Sequence, residues 1–177
     1  MVVTKVKQIK SVNKLSDGIK YIEDGAKTIG AELLDSDLNF PIKFVNGQPV
    51  SQLVSGNLII DVESAYSEMM QLKQLANLEK GRPINNEELV KNDVLAHHVI
   101  QSFSPEDNLT PEQVHEIGRK TALELTGGSH QFVIATHMDK GHLHNHIYIN
   151  STNSVTLNKF RWQKGTALSL FNISNKY

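Results

Sequence analysis

From His142 to Asn150 the chain reads HLHNHIYIN, and this alternation constrains the fold more than any other stretch. Successive side chains of a β-strand point to opposite faces. A strand here therefore sets His142, His144, His146, Tyr148 and Asn150 on one face and Leu143, Asn145, Ile147 and Ile149 on the other. Upstream, Gln131 to Thr136 (QFVIAT) reads as a second strand ending at His137, and Asp139, Lys140 and Gly141 supply a turn. A hairpin returns His137 toward His144 and His146. Three neutral imidazoles around one point suit a divalent cation with open coordination positions. Four of the eight histidines fall within these ten residues, 137 to 146, and His142 is left near the turn as a spare. Asp139 either accepts the second N–H of a ligand imidazole or is a solvated turn residue.

Composition narrows the chemistry. The chain has no cysteine, which rules out disulfides and thiolate metal sites and leaves His, Asp and Glu as ligands. At 177 residues, 39% apolar and 21% charged, one domain with its own core is expected. No apolar run is long enough to span a bilayer, and no signal-peptide pattern follows the first lysines, so a cytoplasmic location is expected. The net charge of −1 selects no partner, but its distribution is uneven. Residues 1–30 carry six lysines against three acids, residues 31–110 twelve acids against five bases, and residues 155–177 four bases and no acid. Basic ends around an acidic middle suit a groove for a polyanion, and equally a solvated lysine face.

Along the chain, Met1 to Ile9 alternates as a first strand, and a short helix from Gly18 to Asp24 is stopped by Gly25. Asn57 to Val62 reads as a strand and Glu63 to Lys80 as a helix, with its Met and Leu residues turned to a core. Leu95 to Phe103 reads as a strand. Thr110, Pro111 and Gln113 then form a capping box for a helix that Gly127 and Gly128 end, its inward stripe being Val114, Ile117, Thr121 and Leu125. Lys159 to Gln163 is predicted as a further strand and Thr166 to Tyr177 as a helix without a closing cap, so the chain is expected to be the N-terminal part of something longer.

A three-histidine site can hydrolyse an ester through bound water or polarise a phosphate for attack by a side chain. With no cysteine, no G-x-S-x-G turn and no phosphate-binding G-x-x-x-x-G-K-[ST] loop, the candidate nucleophiles are hydroxyls. Of the four phenols, Tyr66 sits in an amphipathic helix, Tyr148 is tied to the histidine strand and Tyr177 is the last residue. Tyr21 remains.

GIKYIEDGAKT around Tyr21, HHVIQSFSPED from His97, LTPEQVHEIGRKTALELTGG, and the H-x-D-x4-H-x-H-x3-N string from His137 to Asn150 together resemble the MobP-type relaxases. These are mobilisation nucleases of the HUH endonuclease superfamily, and the wording is nearest to those of Gram-positive plasmids and integrative elements. Residues 29–88 fall outside the likeness. The resemblance implies an α+β fold, with a central antiparallel sheet flanked by helices and the metal on its central strands. It implies site- and strand-specific nicking of DNA at a transfer origin. Tyr21 would be the nucleophile, and His137, His144 and His146 the metal ligands; Asp139, from the reading of the turn, is placed with Tyr21 as a catalytic candidate. His98, Gln101 and Ser102 fall in the family's middle motif, while the pair His97 and His98 is also readable as one buried and one exposed strand residue. The expected ion is Mn2+, with Mg2+, Zn2+, Co2+ or Ni2+ as alternatives. Expected partners are single-stranded DNA at a transfer origin, a relaxosome accessory protein and a type IV coupling protein. Lys159, Arg161, Trp162 and Lys164 are predicted to touch DNA, with Trp162 alternatively a buried anchor. An HUH replication initiator, a metal hydrolase acting through bound water, and a metal-stabilised DNA-binding module without catalysis are the competing readings.

Overall fold

The computed structural model describes residues 2–22, 29–30, 42–45, 48–81, 94–138, 142–160, 162 and 165–177. Its elements run β1 (Val3–Ile9), α1 (Val12–Ile22), β2 (Ile29–Gly30), β3 (Ile42–Val45), β4 (Gln48–Gln52), β5 (Val54–Asn57), α2 (Ala65–Glu79), β6 (Ala96–Ser102), α3 (Pro111–Thr126), β7 (His130–His137), β8 (His144–Asn153) and α4 (Thr166–Lys176). Five strands form one antiparallel sheet in the order β1-β6-β8-β7-β5, with the histidine strand β8 at its centre. The expected α+β architecture is therefore the observed one. A second, three-stranded sheet of order β2-β4-β3 occupies part of the region outside the family likeness.

Strand alternation gives the main sheet two different faces. On one, Val54, Ala96, Val133, Ala135 and Tyr148 pack with Leu15 and Ile19 of α1 and with Ala65, Met69 and Met70 of α2. On the other, Val99, Phe132, Ile134, Ile147 and Ile149 pack with Ala122 of α3 and Leu170 of α4. At β7 both faces of the sheet are shielded from water, so this strand is buried at every position and reads as an unbroken apolar run rather than an alternating one.

Two glycines allow helices to approach the sheet closely. A Cβ on Gly18 would collide with the hydroxyl of Tyr148, and one on Gly118 with Ile134 and the Asn145 amide. Helix α3 begins as its sequence predicts: the Thr110 hydroxyl accepts from the Gln113 N–H, and the Gln113 side chain accepts from the Thr110 N–H. Its inward face differs from the predicted stripe. Val114 and Thr121 are buried as expected, but His115, Gly118 and Ala122 complete the buried face, with Ile117 and Leu125 only partly covered. A polar His115 belongs there because it bonds to polar groups of the sheet.

Other boundaries also moved. Helix α1 starts at Val12, six residues before the predicted Gly18. The strand expected from Asn57 to Val62 lies instead at Val54–Asn57, followed by a short 3-10 turn at Val62–Ser64 that the Asp61 carboxylate caps. Of the strand expected over residues 159–163, Lys159 makes an isolated bridge to Thr152, while Arg161 and Gln163 lie outside the described residues. Among the described residues no helix is long and apolar enough to cross a membrane.

Candidate metal centre and nucleophile

The register explains how a three-histidine cluster forms. His137 on β7 lies directly opposite His144 on β8, and His146 follows two residues later on the same face. Ligand atoms of the three imidazoles lie within 4.8 Å of one another. A cation drawing each nitrogen to about 2.1 Å needs only a slight closing of this group. The donor set fits a divalent ion: three neutral nitrogens, two of the residues buried and His146 partly open to solvent. His142, by contrast, is exposed beside His144, with ring centroids 5.4 Å apart.

His98 provides outer support. Its Nε2 lies 2.9 Å from Nδ1 of His146, and its ring stacks on Tyr148 at 4.3 Å between centroids. With Nε2 of His146 as the metal ligand, Nδ1–H donates to His98, the arrangement that fixes a ligand imidazole's tautomer and orientation. Burial holds His98 neutral, its pKa pulled down to about 4, with the charges of Lys7 and His137 adding to the effect. The reading of His97 and His98 as one buried and one exposed residue is overturned: both are buried, on opposite faces. His97 lies edge-on to Phe160 and 5.7 Å from the Trp162 ring.

Of the middle motif, Ser102 stands opposite His144 on the imidazole face, while Gln101 stands opposite Asn145 on the reverse face. There Gln101 joins a buried hydrogen-bond chain that sequence reasoning missed. The Ser55 hydroxyl is 2.6 Å from Nε2 of His115, and Nδ1 of His115 is 2.9 Å from the Thr136 hydroxyl. Thr136 donates to Asn145 Oδ1, and Asn145 Nδ2 donates to Gln101 Oε1 and to the Val114 carbonyl. Gln101 Nε2 then donates to Thr121 and Ser174. Because the Thr136 hydrogen is given to Asn145, Thr136 accepts from His115, which makes His115 a neutral Nδ1–H imidazole. Its pKa is lowered to about 3 by complete burial, with Arg119 adding to it. Thr136 adjoins His137, and Asn145 sits between His144 and His146, so these hydrogen bonds brace the backs of the strand segments that carry the three imidazoles. One signal was visible in advance: Asn145 and Thr136 are polar at positions that alternation turns toward an apolar layer.

The signature's last residue, Asn150, is also structural. Its amide donates to Gln131 Oε1 and to the Met69 carbonyl, and its Oδ1 accepts from the Thr152 N–H.

Tyr21 is carried on the last turn of α1, whose inner face is fixed by Leu15 and Ile19. Its ring meets His137 edge-on at 6.0 Å between centroids, and the residue is 52% exposed. Tyr148 is unsuited to attack. It is 4% exposed, and burial raises its pKa to about 12. Tyr66, on α2, packs against the core cluster, and the Tyr177 hydroxyl donates to Glu124 at 2.6 Å on the opposite side of the sheet. Asp139, Arg161 and Lys164 lie outside the described residues. Lys159 faces Thr152, eight residues and about 27 Å along β8 from His144. Trp162 is half-buried against the apolar cluster on the face away from the imidazoles.

Comparison with known proteins gives the family. The MobA/VirD2-like relaxase nuclease-domain model matches residues 46–177. The group II intron-interrupted relaxase LtrB of Lactococcus lactis subsp. cremoris is 43% identical over 178 aligned residues, covering 92% of this chain and 32% of that protein. Protein rlx of Staphylococcus aureus is 38% identical over 104 residues, 59% of this chain and 29% of its own length. The chain thus spans about a third of the length of the curated relatives it matches. With a family model covering most of its residues and a phenol beside three convergent imidazoles, the chain belongs to the MobA/VirD2-like relaxases.

Proposed function

We infer that this domain nicks one strand of DNA at a transfer origin by transesterification, as a step in conjugative mobilisation. The observation that carries the reading is the exposed Tyr21 ring 6.0 Å from that of His137, at the rim of the imidazole cluster. In the reaction the Tyr21 oxygen forms a bond to phosphorus and the bond from phosphorus to the 3′-oxygen breaks. The phenol loses a proton, and the departing 3′-oxygen gains one. The products are a 5′-phosphotyrosyl link and a free 3′-hydroxyl. One phosphodiester replaces another, so the same residues can rejoin the ends without an external energy source.

His137, His144 and His146 would hold the divalent cation, Mn2+ being the ion proposed, and His98 keeps His146 oriented. When bound, the ion supplies positive charge to the non-bridging oxygens of the scissile phosphate. An ordinary phenol is only ~0.1% ionised at pH 7, a handicap of about 4 kcal/mol, so Tyr21 depends on placement and on nearby positive charge. Asp139, two residues beyond His137, is proposed to accept an imidazole N–H. Lys159, Arg161, Trp162 and Lys164 are proposed to meet DNA. A relaxosome accessory protein and a type IV coupling protein are the further partners proposed.

The test uses single-stranded oligonucleotides tiled across the DNA element that encodes the chain, incubated with the protein and Mn2+. A covalent adduct on a denaturing gel is expected with one tile. Tyr21→Phe should abolish the adduct while leaving DNA binding intact. An undiminished adduct from that variant removes Tyr21 from the role.

A further inference from the structure

Among the described residues, part of the imidazole face carries no helix. Lys7 is opposite His98 and Lys5 opposite Ile100, while Ile100 is itself opposite His146 and Ser102 opposite His144. Residues directly opposite in an antiparallel pair share a face. Val3, Lys5 and Lys7 are exposed, and Ile100, Ser102 and His146 are partly so. The reverse-face neighbours Gln101 and Asn145 are fully buried. A strip of uncovered sheet thus leads from the imidazoles across β6 to the lysines of β1. On the other side of the triad, helices α1 and α2 cover β7 and β5, with Val54, Val133 and Ala135 in their cluster.

We propose that this strip seats the DNA segment on the 5′ side of the cleaved bond, the segment that ends in the free 3′-hydroxyl, with Lys5 and Lys7 on its phosphates. The proposal rests on Tyr21 being the nucleophile. In-line displacement places the attacking and departing oxygens on opposite sides of phosphorus. Tyr21 stands over His137 on β7, so the departing 3′-oxygen points across β8 and β6 toward β1. The described helices leave that direction open. Lys5 and Lys7 are two positions apart on one face, about 6.7 Å along the strand, and offer successive cations to an extended backbone. The aliphatic side chains of Val3 and Ile100 give sugar and base an apolar surface beside them. A segment held in this way stays next to the phosphotyrosyl link and remains available for rejoining. Lysines that merely keep an edge strand from pairing with other chains would show no preference between the two halves of the substrate.

The test begins with the tile on which the wild-type chain forms its adduct. Two half-strands are made, one ending at the nick in a 3′-hydroxyl and one beginning immediately after it. In K5A/K7A, both changes at exposed positions, affinity for the first half-strand should fall at least tenfold. The slope of log affinity against log salt should shrink by about 1.4, two single-strand phosphate contacts at ~0.7 each. Affinity for the second half-strand should stay within twofold. Because the chain has no cysteine, Lys7→Cys carrying a photo-crosslinker gives a separate readout and should label the first half-strand. Equal loss on both halves, loss confined to the second, or no loss overturns the assignment of the strip while Tyr21 keeps its role. No adduct from the wild-type chain on any tile overturns the Tyr21 reading and the strand polarity with it.

Discussion

Nε2 of His98 and Nδ1 of His146 are joined by a 2.9 Å hydrogen bond across β6 and β8. The imidazole proposed to meet the cation through Nε2 is thus positioned through its other nitrogen by a second imidazole, itself stacked on Tyr148.

His98→Ala should therefore weaken Mn2+ binding by 10- to 100-fold, the usual cost of losing an outer-shell partner, as measured by titration calorimetry. His98→Gln can still accept a hydrogen bond and should recover most of the loss. Wild-type affinity in the alanine variant would show that the His98 contact does not orient His146.

Gly18→Ala inserts a methyl group where the Tyr148 hydroxyl sits. Overpacking of this kind costs about 1–3 kcal/mol. The strain should lift α1 and carry Tyr21 away from His137, so adduct formation should fall more than stability does. Comparing adduct yield with the urea midpoint checks this, and a variant as stable and active as wild type would refute it.

Asn145→Leu preserves the side chain's size but leaves Gln101, Thr136 and the Val114 carbonyl without their buried partner. A loss of about 3 kcal/mol in unfolding free energy is expected. Chemical denaturation with an unchanged midpoint would remove the chain of bonds from any bracing role.

The buried His115 also sets a pH dependence. Its pKa is about 3 in the folded chain, against roughly 6.5 for an ordinary histidine. The unfolded chain therefore binds the extra proton first as pH falls. Stability from this group is complete above pH ~6.5 and declines below it, by about 1.4 kcal/mol per pH unit, until near pH 3. His115→Gln should lower stability at pH 7 yet flatten this slope by one proton between pH 6 and 4. An unchanged slope would place the acid sensitivity elsewhere.

Much of the site was legible because β8 has strict period-two spacing and α3 has strong end signals. His137, His144 and His146 follow from alternation plus one turn, and the Thr110 cap from three residues. Tyr21 was reached by elimination and by family likeness, not by pattern, since the start of α1 at Val12 has little to mark it. The burial of both His97 and His98 was hidden because β6 is covered on both faces at residues 96–99 and has no polar side there. His115 was missed for a related reason: a histidine on a helix looks solvent-facing until the sheet beneath it supplies Ser55 and Thr136. The short strand at Val54–Asn57 escaped notice because its pairing with β7 is set by contacts distant in sequence.

On the proposed reading, strand β8 serves chemistry with His144 and His146 and folding with its odd-numbered residues from 145 to 149. The two sets are exposed to different selection. A descendant released from the need to cut DNA can shed His144 and His146 one by one and remain a folded domain, but it cannot as easily shed Asn145, Ile147 or Ile149. Degenerate copies of this domain should therefore betray their ancestry through the reverse of the strand, long after its imidazoles have drifted.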